Sequence, residues 1–290
     1  MSVSIIMTAL DEPYVNKTID DVIEKSGGLV DEIIVIDDLS ETPIQHPEAK
    51  VIRNEQRRGL IWGRNHATEL AKSEVVLSID PHCKVEEGWL KPLVDMLNKE
   101  RKSIVVPGTR SLNPDKWETF GAESFKTVWD WDLEFKWIKG ENPYTPAIAG
   151  HCFAFRKDWW ETAGRFDTGM HIWGGENIEF PLRTWLFGGS VLCVRDSHVS
   201  HWFKKKFQYT FPANVLLQNK ARVAEVWFDG YKEVFYHRIK RPRGTINFGD
   251  LRERIAIKKR LQEKPFEWFA KNVSVKLWES LFSQDVNALF

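Results

Sequence analysis

Four short apolar runs, at residues 3–7, 33–36, 75–79 and 104–106, alternate with segments of helical spacing at 15–24, 60–71 and 89–97. Runs this short and this continuous read as strands buried on both faces, and the helix-length segments between them read as crossovers. That rhythm predicts an α/β fold with a mostly parallel central sheet flanked by helices. In such sheets ligands collect beyond the carboxyl ends of the strands. The polar residues that close the runs, Thr8, Asp37, Asp38, Asp80 and His82, therefore share one rim.

The remainder of the chain divides by pattern. Residues 1–107 form the candidate nucleotide-binding half and residues 108–213, rich in Trp and Gly, a candidate metal and acceptor half. Residues 214–290 read as a helical C-terminal extension, interrupted by a turn-like Arg241-Pro242-Arg243-Gly244 stretch. All three are expected within one domain of 290 residues. Fourteen Trp and 18 Phe could serve either a core or the apolar faces of sugars and bases. Cys83, Cys152 and Cys193 match neither a disulfide framework nor a zinc spacing, which fits a reducing compartment. The apolar start meets acid at Asp11 with no basic lead and no spanning length, so it reads as the first strand and no membrane partner is expected.

Asp80 and His82, two residues apart at a strand end, can face one divalent cation. On its own the triplet is also a capped turn, and a third ligand would decide. His201 follows an apolar strand and precedes Lys204, Lys205 and Lys206; His198 is its rival. Oxygen and imidazole donors together suit Mn2+ or a similar first-row ion better than Ca2+, with another divalent cation such as Mg2+ as the alternative cofactor. Asp37 and Asp38 can accept the imide N–H of uracil, or cap a helix. Arg57 and Arg64 flank Gly59 and Leu60 near a helix start, where anions are favoured. The segment 170–179 sets Trp173 and two glycines ahead of Glu176 and Asn177. A mobile Trp can close over a ligand, and Glu176 can orient a hydroxyl or stabilise developing positive charge.

Taken in order, TALDEP (8–13), VIDDLSE (35–41), RRGLIWGR (57–64), SIDPHC (78–83), AGHCFAF (149–155), GMHIWGGENIE (169–179) and HVSHWF (198–203) resemble the catalytic domain of polypeptide N-acetylgalactosaminyltransferases. The resemblance continues through residues 221–227 and 266–268, so it spans nearly the whole chain. It implies a GT-A fold and retaining transfer from a UDP-sugar donor with manganese as cofactor. It makes Asp80, His82 and His201 the metal ligands and sets Thr8, Asp38, Arg57, Gly59 and Leu60 near the nucleotide, with Asp37 able to substitute for Asp38. It further makes Trp173 the lid, Glu176 and Asn177 sugar or acceptor residues, and Ala149 and Gly150 part of the sugar pocket.

Three positions depart from that pattern. Pro81 replaces a small serine between the ligands. His151 and Cys152 stand where glycine and leucine are usual beside the sugar pocket, which leaves the donor open between a hexose and an N-acetylhexosamine. Lys204 stands at an arginine that contacts the diphosphate, keeping the charge but not the bidentate fork. The family's membrane anchor, stem and lectin domain have no counterpart here, which sets the expectation of a cytoplasmic enzyme of bacterial or phage type. The expected acceptor is a hydroxyl on protein Ser/Thr, on a glycan, or on a hydroxymethylated pyrimidine in DNA. The DNA reading draws on Lys204 to Lys206 and on the basic segment 237–260, which holds nine Lys/Arg against Asp250 and Glu253. A non-catalytic nucleic-acid- or sugar-binding protein on a transferase scaffold is the alternative of another class.

Overall fold

The computed structural model describes residues 2–138, 140–204 and 212–282. The first third folds as β1 (Val3–Ala9), α1 (Val15–Lys25), β2 (Val30–Asp37), β3 (Lys50–Arg53), α2 (Leu60–Leu70), β4 (Val75–Ile79), β5 (Cys83–Val85) and α3 (Leu90–Lys99). There follow β6 (Ser103–Asn113), β7 (Glu118–Ser124), β8 (Lys126–Trp129), β9 (Phe135–Ile138), β10 (Cys152–Arg156), α4 (Lys157–Thr162), α5 (Glu176–Leu186) and β11 (Ser190–His201). Five helices close the described chain: α6 (Ala213–Trp227), α7 (Lys232–Arg238), α8 (Arg252–Leu261), α9 (Phe266–Asn272) and α10 (Val275–Ser280).

Nine strands make one sheet in the order β3-β2-β1-β4-β10-β6-β11-β5, with β7 paired to β6, and β8 and β9 form a separate hairpin. The expected parallel pairing holds from β3 through β4 and again between β6 and β11. The sheet is mixed beyond β4, because β10 runs antiparallel to both β4 and β6 and β5 runs antiparallel to β11. The expected division at residues 107/108 needs correction for the same reason. It falls inside β6, and strands from both halves belong to one sheet.

Alternation of side chains along each strand splits the core in two. Ile33 and Val35 face α1 and α3 through Val15, Ile19, Val22, Leu90 and Leu93. Ile34 and Ile36 face the opposite layer, where α2, α5, α6 and α9 contribute Ile61, Phe180, Trp227 and Phe269. Both faces of the central strands are thus dry, which is why their sequences are unbroken apolar runs. The aromatic surplus is largely core: Trp89, Trp129, Trp160 and Trp227 are among the largest fully buried side chains. Trp129 stacks on Phe228 at 5.4 Å and on Phe269 at 6.0 Å, tying the β8 hairpin to the C-terminal helices. All three cysteines are buried thiols, and burial raises Cys193 to about 12. Among the described residues no helix is long and apolar enough to cross a membrane.

Candidate active site

A cleft of about 440 Å3 opens at the carboxyl ends of β1 and β4. Asp80 is the first residue past β4, and His82 lies just before β5. The antiparallel register of β5 on β11 sets His201 opposite Cys83, which brings its ring beside His82. His201 Nε2 lies 3.0 Å from His82 Nε2 and 3.5 Å from Asp80 Oδ2. One donor atom from each of the three lies within 4.8 Å of the others. His198 is not part of this cluster: its Nδ1 faces Glu123. An odd spacing along a strand sends His198 and His201 to opposite faces.

The cluster's protonation suits a cation. His82 Nδ1 lies 3.1 Å from Glu12 Oε2, so the Nδ1–H donates to the carboxylate and the Nε2 lone pair points into the cluster. Burial pushes the Asp80 carboxyl up, but the His201 hydrogen bond and the charges of His82, His201 and Arg64 outweigh it and hold it well below the usual range. Burial lowers His201, against the opposing Asp80 hydrogen bond, and so favours a neutral imidazole. An ionised carboxylate beside two imidazole rings forms a donor set for a first-row divalent ion. These residues fit the expected metal, and Glu12, which the sequence reading passed over, supports them from behind. Glu12 also pairs with Lys204, so one buried carboxylate ties an imidazole of the cluster to a cation of the cleft wall.

The nucleotide-side residues meet at the same cleft, with one exception. Thr8, Asp38, Arg57, Gly59 and Leu60 line it, and the buried Thr8 Oγ1 has no partner among the described residues. Asp38 Oδ1 accepts from Asn54 Nδ2 at 2.7 Å and Arg58 N at 2.8 Å. Among the described residues Oδ2 accepts only from Gly59 N, at 2.9 Å, and so keeps a lone pair. Gly59 has φ 85°, and a Cβ there would come within 2.3 Å of Ile172 Cα. Only glycine admits the bridge through which Leu60 N reaches Ile172 O at 2.7 Å. Asp37 is the exception and corrects the expectation. Its carboxylate is fully buried and accepts from Ser40 N, Ile44 N and Arg53 Nη1, holding the loop after β2 and not lining the cleft.

Arg64 and Glu176 both line the cleft and pair with each other. Arg64 is 2% exposed and donates to Ser78 Oγ, Glu176 Oε1 and the Gly150 carbonyl, so its guanidinium is occupied within the protein. Glu176 Oε2 accepts from Gly174 N at 2.9 Å and anchors the loop ahead of α5. The pair joins that loop to the floor of the cleft. Asn177 lines the cleft with its side-chain amide unpartnered among the described residues, while its carbonyl accepts from Ile148 N at 3.1 Å. Ala149 and Gly150 follow directly and line the same wall.

Half-buried Trp173 also lines the cleft, in a loop that Asn219 of α6 clamps. Asn219 Nδ2 donates to the carbonyls of His171, Trp173 and Gly174, and Asn219 Oδ1 accepts from His171 N. No local motif marks Asn219, which lies more than 40 residues along the chain from its partners. His151 enters the cleft wall next to Gly150, stacked on His201 with ring centroids 4.6 Å apart and its Nε2 3.0 Å from Thr109 Oγ1.

The basic segments are partly neutralised by neighbouring acids. Lys205 and Lys206 lie outside the described residues. Within 237–260, Arg243 pairs with Glu225, Arg252 with Asp250, Arg254 with Asp167 and Lys258 with Asp229. The other cations of the segment, Arg238, Lys240, Arg241, Lys259 and Arg260, are exposed.

Comparison with known proteins agrees with this geometry. The chain is 32% identical over 290 residues to the putative polypeptide N-acetylgalactosaminyltransferase 9 of Drosophila melanogaster, covering 90% of this chain and 44% of that one. It is 34% identical over 275 residues to the human polypeptide N-acetylgalactosaminyltransferase 14, covering 86% and 49%. The chain thus spans about half the length of the curated relatives it matches. The crystal structure of GalNAc-T7 with UDP, GalNAc and Mn2+ superposes with a TM-score of 0.88 at 28% identity, over 96% of this chain and 58% of that one. Staphylococcus aureus TarS 1–349 with UDP-GlcNAc shares the fold alone, at a TM-score of 0.58 and 12% identity over 100% of this chain and 82% of that one. The architecture is of GT-A type. The glycosyl transferase family 2 profile matches residues 4–163, more than half of the sequence, and the chain belongs to that family.

Proposed function

We propose that this chain transfers a hexose or N-acetylhexosamine from a UDP-sugar to a hydroxyl acceptor, a protein Ser/Thr in the first instance, with Mn2+ as cofactor and retention at the anomeric carbon. The observation that carries the reading is the convergence of Asp80, His82 and His201 in one cleft that Thr8, Asp38 and Arg57 also line. The similarity to polypeptide N-acetylgalactosaminyltransferases favours protein as the acceptor.

Asp80, His82 and His201 would hold the metal, which supplies positive charge to the leaving diphosphate. The free lone pair of Asp38 Oδ2 would accept the uracil imide N–H. Lys204, held by Glu12, adds a cation at the same edge. Trp173 would cover the donor and exclude water, on a loop fixed by Asn219 and Glu176. Asn177, with its open amide, faces the same space and would orient a hydroxyl. None of these roles requires a strong protein base.

The deciding experiment incubates the full chain with Mn2+, single UDP-sugars and Ser/Thr peptides, and reads intact peptide mass and anomeric configuration. A Mn2+-dependent gain of one sugar, absent in Asp80→Asn, is expected. Sugar transfer confined to DNA containing hydroxymethylpyrimidine, or donor turnover without any acceptor product, would overturn the reading.

A further inference from the structure

At the opposite end of the sheet a second concavity, about 630 Å3, lies between the α3–β6 turn, the β8 strand, the α5–β11 turn and α9. Strand β11 links the two places: Ser190 lines this pocket and His201 stands in the metal cluster. Twelve residues of extended chain put them about 35 Å apart. The second pocket is therefore separate from the catalytic cleft.

Its lining is cationic. Lys99, Arg101, Lys102, Lys126 and Lys264 converge on it, against the single acid Glu100. Arg101 and Lys102 have outside partners in Asp158 and Glu263. Lys99, Lys126 and Lys264 have no carboxylate partner among the described residues. Lys126 is half-buried on β8, and burial and then the charge of Lys276 push its ammonium below the ordinary lysine range. A cation held in a concavity beside a second cation lacks the counter-charge that burial calls for. A solvated lysine face would have neither the concavity nor the partial burial.

Aromatic rings form the remaining wall. Tyr144 is 45% exposed and meets Trp185 edge-on, with centroids 5.7 Å apart and planes at 67°. Lys264 Nζ sits 3.8 Å from the Trp268 ring centroid, which fixes that ammonium against the wall. With Trp185 buried, Tyr144 offers a single open ring face, suited to the C–H face of a pyranose, and not the parallel slot in which a planar base stacks. The volume falls in the range of small-ligand sites.

We propose that this pocket binds an acidic saccharide, with its sulfate or carboxylate groups on Lys126, Lys264 and Lys99 and a sugar ring against Tyr144. The site is independent of the transferase reading and would operate whether or not the cleft is catalytic. It would tether an acidic glycan at a distance from the catalytic cleft.

The test is calorimetric titration of the full chain, in chelator to silence the metal cluster, with a sulfated uronate-containing disaccharide. Its desulfated counterpart, inorganic pyrophosphate and AMP are titrated in parallel. Saturable binding of the sulfated disaccharide is expected, with the desulfated form and pyrophosphate each weaker by about tenfold or more. Lys126→Met with Lys264→Met, which keep the apolar stems, should weaken binding by about tenfold or more while thermal unfolding stays near that of the parent. Tyr144→Ala should weaken the disaccharide and leave pyrophosphate unchanged. Unaltered disaccharide binding in the double variant would overturn the site. Pyrophosphate binding as tightly as the disaccharide, or AMP more tightly and in a Tyr144-dependent way, would overturn the saccharide assignment.

Discussion

Glu12 Oε2 lies 3.1 Å from His82 Nδ1, and through this contact a residue of the loop after β1 sets the tautomer of an imidazole beyond β4. The same carboxylate holds Lys204, so it is shared between the metal cluster and the cation proposed for the diphosphate. Burial raises the Glu12 carboxyl, but the His82 hydrogen bond and the charges of His82 and Lys204 bring it below its ordinary value, so it is ionised at neutral pH. Glu12→Gln keeps the shape and removes the charge. Mn2+ affinity measured by calorimetry is expected to fall about 10- to 100-fold, the usual cost of losing a partner behind a metal ligand. Unchanged affinity would mean that His82 needs no orienting group.

Direct loss of a ligand is a stronger test. Asp80→Asn and His201→Ala each remove one of three donors from a cluster that lies within 4.8 Å. Metal-stimulated sugar transfer is expected to vanish in both, with circular dichroism and gel-filtration behaviour retained. His198→Ala should keep full metal dependence, because its ring is turned to Glu123. Equal losses in all three would point to a general structural effect.

Asn219 fixes the Trp173 loop through three donated contacts and one accepted contact, all within 3.1 Å. Asn219→Ala leaves several backbone groups of residues 171–174 without partners, at a cost of about 1–3 kcal/mol. Urea unfolding should register that loss. Turnover should fall by more than the lost stability explains under native conditions, because the lid aromatic rides on the same loop. A stability loss with normal kcat would separate Trp173 from the reaction.

The strands that build the floor were legible in sequence because burial on both faces leaves an unbroken apolar run, as in Val75–Ile79. Asp80 and His82 were legible for the same reason, being the polar residues that end such a run. Nothing local revealed β3, β5 or the antiparallel direction of β10, since short strands acquire direction from their neighbours and not from their own composition. Asp37 and Asp38 could not be told apart: adjacent positions on a strand point to opposite faces, and only the hydrogen bonds to Arg53 and Ile44 show that Asp37 serves its own loop. Arg64 was read as a ligand contact because a cation near a helix start suggests an anion site, and Glu176 because a carboxylate behind a mobile Trp can orient a hydroxyl or stabilise developing positive charge. Their mutual pair at 3.0 Å spans 112 residues and lies beyond any local pattern. Glu12 and Asn219 act through such long-range contacts as well.

Acid should weaken the metal-free fold from an identifiable point. Burial holds His151 well below the ordinary histidine value of 6.5, and burial lowers His201 in the same direction. Below about pH 6.5 the unfolded chain takes up protons at these positions that the folded chain does not, so stability declines as pH falls. Each such histidine contributes up to about 1.4 kcal/mol per pH unit in that window. Urea midpoints in chelator are expected to drop between pH 7.5 and 5.5, and His151→Gln should flatten the profile. An unaltered slope in that variant would assign the acid sensitivity elsewhere.

His151 also bears on which sugar the cleft accepts. Its imidazole lines the wall directly after Ala149 and Gly150, braced by Thr109 on one side and by the His201 ring on the other. A side chain braced on two sides cannot swing away to admit a bulkier donor, and its removal leaves a void next to the proposed sugar position. His151→Gly is therefore expected to raise kcat/KM for N-acetylhexosamine donors relative to hexose donors, by about tenfold or more. Because the ring stacks on a proposed metal ligand, Mn2+ affinity is measured on the same variant, and the comparison between donors is made at saturating metal. A loss common to both donors would assign His151 to support of His201, whereas a change in their ratio assigns it to the sugar.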